Sequence, residues 1–464
     1  MVPAMTEPPR TARDAALQAL RRAERGDAFL TDHLHAVLAR ADLDARDGAL
    51  ATQLATGVVR HRRTLRLLIS HLRGEKKYAR TIQPEVLRIL ELGAFQLILL
   101  DRVPAYAAVN EAVEAARRSV GRGRQRKVAG FVNGVLRGLE RLIVGHDPAG
   151  RPAPDALPHP EGGVVRLAEP VLPALADGWS AFLGAAYSYP DWLVVRWVQA
   201  YGEEAEAVCR WQNRRPGVFA RVNPRHHTAE AMLAALRAEG YAVAPGPRPG
   251  MLDVSALPAD RLQRRVDAGE MTVQDPSAAA AVEALAPQPG ETVLDLCASP
   301  GAKTTQIVEA MDDRGRIVAS DKSEEKLQPL RRTVEARGLR SVAVSLAEDA
   351  AAHAPEGGFD AVLVDAPCSN TGVLARRVEA RWRLRPDDPV DLAALQRRLL
   401  DQAVDLVRPG GRLLYATCSL LPEENDGLLA SFLEGREGWR LADRALVLPG
   451  PDRDGVFWAL LRRA

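Results

Sequence analysis

Residues 361–364 read AVLV, and residues 365–372 continue as DAPCSNTG. The apolar, β-branched run predicts a buried strand of a parallel sheet. Pro367 ends this strand, because proline cannot donate to the backbone hydrogen bonds of a ladder. In open α/β sheets the ligand crevice lies at the carboxyl ends of the strands. Asp365 and Cys368 are therefore expected at a ligand site.

A second strand-like run ends in the same way. Residues 412–416 read RLLYA and are followed by Thr417, Cys418 and Ser419. Two thiols and a carboxylate on one edge of a sheet indicate a covalent nucleophile with an acid partner. The alternative is that both cysteines are small buried packing residues, as free cysteines often are. Because each cysteine comes just after a strand, we favour the functional interpretation.

The pattern around these two runs is an alternation of strands and helices. It predicts an α/β fold, a doubly wound, Rossmann-like and mostly parallel sheet. The predicted strands are 292–296, 316–320, 342–345, 361–364, 412–416 and 455–461, and the predicted helices are 304–311, 324–337 and 391–407.

The part of the chain before residue 269 has a different pattern. Residues 11–137 show apolar positions at helical spacing, which predicts an all-α bundle. Residues 145–163 are rich in Pro, Gly and His and predict a linker. Strand and helix patterns at 219–223, 228–239 and 241–243 predict a small α+β module. The predicted domains are a helical domain at 10–143, a linker at 144–180, the α+β module at 181–268 and a catalytic domain at 269–464.

Composition excludes several classes of protein. The 464 residues carry a net charge of +2, so a nucleic-acid surface must come from local clusters. Residues 1–13 lack the apolar core of a signal peptide, and no uncharged apolar run reaches the ~18 residues of a membrane span. The four cysteines form no CxxC pair. This argues against zinc and disulfides, so no metal site is predicted and a cytoplasmic location is favoured.

A basic loop precedes the last helix of the bundle. It contains Arg122, Arg124, Arg126 and Lys127. These side chains are either solvated or in contact with RNA phosphates, for which Arg and Lys supply the electrostatic part of the affinity.

A cofactor site is indicated after the first strand of the α/β region. The turn 297–303 contains small residues that let a ligand approach the backbone, and a helix N-terminus follows it. Asp321 closes the next strand 20 residues after Gly301, where an acid binds ribose hydroxyls. The turn lacks the G-x-G-x-x-G pattern, which argues against NAD or FAD. Asp349 is a candidate for the adenine end of the ligand and Asp365 for its reacting end.

Two sets of motifs resemble known families. The runs GVVR at 57–60, LGAFQ at 92–96, VPAYAAVNEAV at 103–113 and FVNGVLR at 131–137 resemble the NusB family of RNA-binding helical domains. The runs DLCASPGAKTT at 295–305, DAPCS at 365–369 and ATCSLLPEEN at 416–425 resemble motifs I, IV and VI of the S-adenosylmethionine-dependent RNA cytosine-5 methyltransferases. The whole chain is similar to the RsmB (Sun/Fmu) family, which methylates 16S rRNA of the small ribosomal subunit.

The resemblance implies roles for individual residues. Cys418 would be the nucleophile and Cys368 the cysteine that assists release. Asp365 is our candidate for a hydrogen bond to the ring nitrogen N3 of the target cytosine. The residues implied to bind S-adenosylmethionine are Cys297, Ala298, Ser299, Pro300, Gly301, Ala302, Lys303, Asp321, Asp349 and Asp365.

The sequence departs from the family pattern at two places. Ala302 stands where the family commonly has a second glycine, and alanine adopts a positive φ only at a cost. Arg377-Val378-Glu379 replaces the usual His-Pro-Asp after motif IV, which leaves the substrate contacts of this loop open.

The loop after motif IV is basic. Arg376, Arg377, Arg381 and Trp382 suit contacts to phosphates and stacking on an unpaired base. The alternative is a surface loop whose arginines pair with Glu379, Asp387 and Asp388.

Three functions are compatible with these features. The first is C5 methylation of a cytosine in small-subunit rRNA, either naked or at an early stage of assembly. The second keeps this chemistry but acts on tRNA or large-subunit rRNA. The third is a non-catalytic RNA-binding assembly factor, which has no chemical need for two thiols. No oligomeric partner is evident.

Overall fold

The computed structural model describes residues 8–24, 26, 28–73 and 82–464. The chain forms two compact units. The first contains the described residues up to Arg214 together with Arg377–Arg383, and the second contains Arg215–Arg376 and Leu384–Ala464. Within the described residues, no helix is long and apolar enough to span a membrane.

The first unit begins with a helical bundle, as predicted. Its helices are α1 Ala12–Ala23, α2 Leu30–Leu38, α3 Ala45–Arg60, α4 Arg62–His71, α5 Pro84–Leu99, α6 Ala105–Arg118 and α7 Gln125–Leu142. Helix α5 is buried along most of its length and forms the centre of the bundle. Gly57 lets α3 approach it, since a Cβ there would lie 2.1 Å from the ring of Phe95.

The predicted linker is instead a small antiparallel sheet. Its strands are β1 Ile143–Asp147, β2 Ala156–Pro158 and β3 Val164–Leu167, in the order β1-β3-β2. The segment is rich in glycine and proline, and its strands β2 and β3 bury Ala156, Leu157, Val164, Val165 and Leu167. The first unit continues with α8 Trp179–Ala186, α9 Asp191–Tyr201 and α10 Glu204–Trp211. These helices precede the boundary at Arg214, so the predicted boundary at residue 181 is not a boundary between the two units.

The second unit begins with the predicted α+β module. Its strands β4 Phe219–Val222, β5 Ala244–Pro245, β6 Met251–Asp253 and β7 Met271–Val273 form an antiparallel sheet in the order β5-β6-β4-β7. Helices α11 Ala229–Ala238 and α12 Ala259–Asp267 accompany it. The strand predicted at 241–243 lies just before β5.

A seven-stranded sheet dominates the second unit. Its strands are β8 Thr292–Asp295, β9 Arg316–Asp321, β10 Val342–Leu346, β11 Phe359–Asp365, β12 Val407–Thr417, β13 Trp439–Val447 and β14 Val456–Arg463. The helices are α13 Pro276–Leu285, α14 Ala302–Ala310, α15 Glu324–Ala336, α17 Asp388–Leu406 and α18 Asp426–Leu433; the short α16 Ala380–Arg383 belongs to the first unit.

The strand order confirms the doubly wound α/β prediction. The order is β10-β9-β8-β11-β12-β14-β13, and the first five strands are parallel. Strand β14 is antiparallel to both neighbours, so the sheet is mixed. Alternate residues of β11 enter different cores: Val362 packs in one cluster and Leu363 in the other. Burial on both faces explains why this strand reads as an unbroken apolar run.

Candidate active site

The two cysteines predicted as catalytic lie side by side. Strands β11 and β12 are parallel neighbours with Asp365 opposite Ala416, and each cysteine follows shortly after its strand. The Sγ atoms of Cys368 and Cys418 are 3.0 Å apart. The Cys418 thiol also lies 3.2 Å from Oδ1 of Asn370. The backbone N–H of Cys418 donates to the sulfur of Cys368 at 3.3 Å.

The environments of the two thiols differ. Cys368 is buried, while Cys418 is partly exposed. The hydrogen bond to Cys418, together with burial, raises the pKa of the Cys368 thiol well above its ordinary value. Cys368 therefore keeps its proton at neutral pH, and Cys418 is the thiol that solvent reaches.

Lys303 and Asp365 form an ion pair beside the thiols. Nζ of Lys303 lies 2.5 Å from Oδ2 of Asp365. Burial opposes the charge on Lys303, but the carboxylate of Asp365 outweighs it and the pKa of the lysine is raised, with a smaller contribution from Cys418. An ionised carboxylate only accepts hydrogen bonds. Within this pair Nζ of Lys303 donates a hydrogen bond to the carboxylate of Asp365. The hydrogen bond predicted between Asp365 and the target base stays a prediction.

The predicted cofactor turn joins β8 to α14. The Ser299–Pro300 peptide is cis, and Gly301 has φ +114°. A side chain at Gly301 would be 2.7 Å from Cδ1 of Leu330. Ala302 is the first residue of α14 and is not among the residues with positive φ. The replacement of a family glycine by Ala302 therefore imposes no backbone strain.

Asp321 connects this turn to the end of β9. Its carboxylate is buried and accepts hydrogen bonds from the backbone N–H of Ser299 at 3.3 Å and of Lys322 at 2.7 Å. Lys326 forms an ion pair with it at 3.2 Å. Asp349 is exposed in a 3-10 turn just after β10. Since β8, β9 and β10 are parallel, all these residues lie at the same edge of the sheet.

The carboxyl group of Asp295 and the thiol of Cys297 lie where β8 leads into the cofactor turn, and burial changes the pKa of both. Burial raises the pKa of Asp295 to about 7, and its Oδ2 accepts a hydrogen bond from Thr304 at 2.7 Å. Its Oδ1 is buried and has no partner in the described part of the chain. Burial also raises the pKa of the Cys297 thiol, which is consistent with a structural role.

The basic loop of the helical domain is open to solvent. Arg124, Arg126 and Lys127 are exposed, and none of them forms an ion pair with a described residue. Their predicted contact with RNA stays a prediction.

Two cations of the loop after motif IV, Arg376 and Arg381, make internal contacts. Arg381 is fully buried and donates hydrogen bonds to Oδ1 of Asn213 at 2.7 Å and to the carbonyl of Arg60 at 3.1 Å. Nε1 of Trp382 donates to the carbonyl of Val59 at 2.7 Å. The buried Arg381 guanidinium is not available for phosphate contact, while the side chain of Trp382 is partly exposed.

Arg376, Val378 and Glu379 also make internal contacts, while Arg377 is exposed. Arg376 pairs with Asp454 at 2.5 Å and with Asp275 at 3.2 Å. Val378 is buried, and Glu379 accepts a hydrogen bond from the backbone N–H of Leu30 at 2.7 Å. Arg377 is exposed, with its guanidinium 5.5 Å from the ring centroid of Phe29. Of the four residues predicted to bind RNA here, Arg377 is exposed, Arg376 and Trp382 are partly exposed, and Arg381 is fully buried. Their contact with RNA stays a prediction.

Sequence reasoning missed one prominent residue of the site. Glu424 belongs to motif VI and is fully buried beside both cysteine loops. The only signal in the sequence was its place in the motif VI run, in which Glu424 stands next to Glu423 and Asn425.

The residues at this edge of the sheet fit an adenosyl cofactor. The first turn of α14 leaves backbone N–H groups without intrahelical acceptors, and Asp321 offers carboxylate oxygens for ribose hydroxyls. The sheet order, the turn and the paired thiols define an S-adenosylmethionine-dependent methyltransferase of the Rossmann-like class, preceded by a NusB-like helical domain.

Comparisons with known proteins identify the family. The family model "16S rRNA methyltransferase RsmB/F" matches residues 282–453, the "NusB family" model matches 10–141, and the model "Methyltr_RsmF/B-like, ferredoxin-like domain" matches 189–250. The "Probable ribosomal RNA small subunit methyltransferase B" of Synechocystis is 35% identical over 93% of this chain and 90% of its own length. The "Ribosomal RNA small subunit methyltransferase B" of Salmonella arizonae is 34% identical over 90% of each chain.

Solved structures agree with this assignment. The crystal structure of PH0851 is similar over 99% of this chain and 100% of its own, with a TM-score of 0.74 and 26% identity. The structure of a methyltransferase homologue from Pyrococcus horikoshii is similar over 61% of this chain and 98% of its own, with a TM-score of 0.52 and 25% identity. The chain belongs to the RsmB/F family of small-subunit rRNA methyltransferases.

Proposed function

We propose that this protein methylates C5 of a cytosine in small-subunit rRNA through a covalent bond between Cys418 and C6 of the base. The observation that carries the proposal is the pair of thiols, 3.0 Å apart, beside the Lys303–Asp365 ion pair. The names of the relatives support the RNA target.

Cysteine chemistry is needed because C5 of cytosine is a poor nucleophile. Attack of the Cys418 thiolate on C6 turns the ring into an enamine, whose C5 is nucleophilic. When bound, S-adenosylmethionine supplies the methyl group for this carbon. The Lys303 ammonium places positive charge near the thiolate and near the negative charge that develops on the ring, and Asp365 holds this ammonium in place. The target base must be unstacked before Cys418 can reach it.

Release of the product requires two bonds to break. H5 leaves C5 as a proton that passes to solvent, which reaches the partly exposed side of the site at Cys418. The electron pair of the C5–H5 bond forms the C5–C6 double bond, and the C6–S bond breaks with its electrons going to the sulfur of Cys418. Cys368 lies 3.0 Å from this sulfur and keeps its proton at neutral pH. Its proton can be shared with the departing thiolate, which favours release.

The proposal is tested with one serine substitution at each thiol. Cys418→Ser should abolish methylation and form no adduct, because a hydroxyl is a far weaker nucleophile. Cys368→Ser should still attack and methylate but stall at release, so that RNA stays attached to the protein on a denaturing gel when cofactor is present. A trapped band with Cys418→Ser instead would mean that the two roles are reversed. If neither variant lost activity, the covalent mechanism would be wrong.

The RNA target is tested separately. Bisulfite sequencing of total RNA from cells with and without the gene should show one cytosine of small-subunit rRNA that loses its methyl group. In vitro, we expect naked or early-assembly rRNA to be a better substrate than complete subunits. In the cell, we expect the reaction to take place in the cytoplasm. A lost methyl group in tRNA or in large-subunit rRNA would keep the chemistry and change the substrate. No lost methyl group, with RNA binding intact, would favour a non-catalytic assembly factor.

A further inference from the structure

A single buried carboxylate contacts both cysteine loops. Glu424 is fully buried in a 3-10 turn shortly after Cys418. Its Oε1 accepts hydrogen bonds from the backbone N–H of Ser369 at 2.8 Å and from Nε2 of Gln396 at 3.0 Å. Its Oε2 accepts from the hydroxyl of Ser419 at 2.5 Å and from the hydroxyl of Ser369. Four donors therefore converge on one side chain.

The important feature is where the two serines, Ser369 and Ser419, lie in the sequence. Ser369 directly follows Cys368, and Ser419 directly follows Cys418. A buried carboxylate is costly unless hydrogen bonds replace its lost hydration. Here three of the four bonds come from the residues that follow the two thiols. The free energy that favours burial of Glu424 therefore also favours one arrangement of the two loops.

Neighbouring polar groups make this arrangement more rigid. Oγ1 of Thr371 accepts a hydrogen bond from the backbone N–H of Leu420 at 2.9 Å and lies 3.2 Å from the hydroxyl of Ser419. The hydroxyl of Tyr415 donates to the backbone carbonyl of Glu424 at 2.7 Å. The turn that carries Glu424 is thereby fixed to β12 itself.

We infer that Glu424 is a positioning residue that holds the thiols of Cys368 and Cys418 side by side. It does not touch the thiols and acts through Ser369 and Ser419. The catalytic consequence rests on the proposed function, because only a mechanism that uses both thiols requires them to be adjacent.

The first test measures how fast a disulfide forms between the two sulfurs, because this rate depends on the distance between them. In the full-length protein, diamide takes two electrons and two protons from Cys368 and Cys418, becomes the hydrazine, and leaves an S–S bond that peptide mapping detects. Glu424→Ala should slow this cross-link at least about tenfold, because the rate depends on the access of one sulfur to the other.

Two further variants make the result specific. In Glu424→Gln the amide oxygen can still accept from Ser369 and Gln396, while its NH₂ can donate to the two serine hydroxyls, which are also acceptors. This variant should cross-link within about threefold of the wild-type rate. Glu91→Ala is the matched control, since Glu91 is a buried carboxylate of the helical domain that pairs with Arg66. It should lower stability without changing the cross-linking rate.

Steady-state kinetics complete the test. Glu424→Ala should lower kcat about a hundredfold per folded molecule, the cost of a 1 Å misplacement, with the KM for S-adenosylmethionine unchanged. Wild-type cross-linking and wild-type kcat in Glu424→Ala would overturn the inference, and so would a wild-type protein that does not cross-link. Slow cross-linking in Glu424→Ala without any cytosine methylation by the wild type would support the positioning role and overturn the proposed function.

Discussion

At the scale of single residues, the site is governed by which groups hold protons. Cys368 keeps its proton because it is buried and hydrogen-bonded to Cys418. Lys303 keeps its charge because Asp365 outweighs the effect of burial. Of the two thiols, Cys418 is therefore the one that is partly exposed to solvent.

Asp321 is expected to determine cofactor affinity. Asp321→Ala should weaken binding of S-adenosylmethionine by about 1.5–3 kcal/mol, the range for a hydrogen bond to a charged group. It also removes the acceptor for the Ser299 N–H, so the cofactor turn is loosened. Titration calorimetry measures the change. Unchanged affinity would refute the role of Asp321 in binding ribose.

Asp295 should make stability depend on pH. Its pKa is raised by burial from an ordinary 3.8 to about 7, so the folded state holds a proton that the unfolded state releases above pH 4. Stability should therefore fall as the pH rises from about 4 to about 7, by at most roughly 4 kcal/mol, and level off above.

Asp295→Asn removes this titration and should flatten the curve. Urea unfolding of both proteins at pH 5 and pH 8 measures the difference, in which the contributions of all other groups cancel. Equal pH dependence in the two proteins would contradict the prediction.

At the scale of elements, the cysteine loops depend on a close approach of backbones. The N–H of Gly372 donates to the carbonyl of Cys418, and its own carbonyl accepts from Gly455, both at 2.8 Å. A Cβ at Gly372 would lie 2.2 Å from the carbonyl oxygen of Gly455. Only glycine at position 372 permits this contact between the loop after β11 and the segment before β14.

Gly372→Ala should destabilise the second unit by about 1–3 kcal/mol, because the two segments must separate. It should also slow methylation, since Cys418 moves with its loop. Gly134→Ala is the control: Gly134 lies in α7, and a Cβ added there would have no neighbouring atom within 4 Å, so alanine should stabilise by about 0.5–1 kcal/mol. Equal thermal stability of the two variants would contradict this account of Gly372.

At the scale of the whole molecule, charge is almost balanced, and basic clusters must be judged by their partners. In the cluster after motif IV, Arg381 donates to the carbonyl of Arg60, and Arg376 pairs with the carboxylates of Asp275 and Asp454. The cluster that begins α7 is exposed. We therefore expect the NusB-like domain to supply more of the salt-dependent RNA affinity than the loop after motif IV.

Replacing Arg124, Arg126 and Lys127 with glutamine should weaken RNA binding. If the three side chains contact phosphates of single-stranded RNA, the slope of log K against log salt should become shallower by about 2. The control replaces Arg314, Arg331 and Arg332, three exposed cations of the second unit, and removes the same charge. Identical slopes for the two triple variants would exclude a specific role of the α7 loop.

Much of this protein was predictable because its signals are local. Apolar runs and helical spacing predicted the helical bundle and the α/β order, and the residues after β8, β9, β11 and β12 predicted the edge at which Asp321, Asp365 and the two thiols lie. Local patterns were less informative for residues 145–163, whose turn-forming residues read as a linker although the segments between them form strands.

The sequence alone determined the class of fold, the cofactor turn and the strand-end positions of Cys368 and Cys418. Only the tertiary structure decided which polar side chains are free. Arg381 is satisfied by residues that are 168 and 321 positions away in the chain, and Glu424 receives a hydrogen bond from Ser369, 55 positions away. Such partners leave no local pattern, because burial and hydrogen bonding depend on the packing of distant segments and not on the neighbours of a residue in the chain.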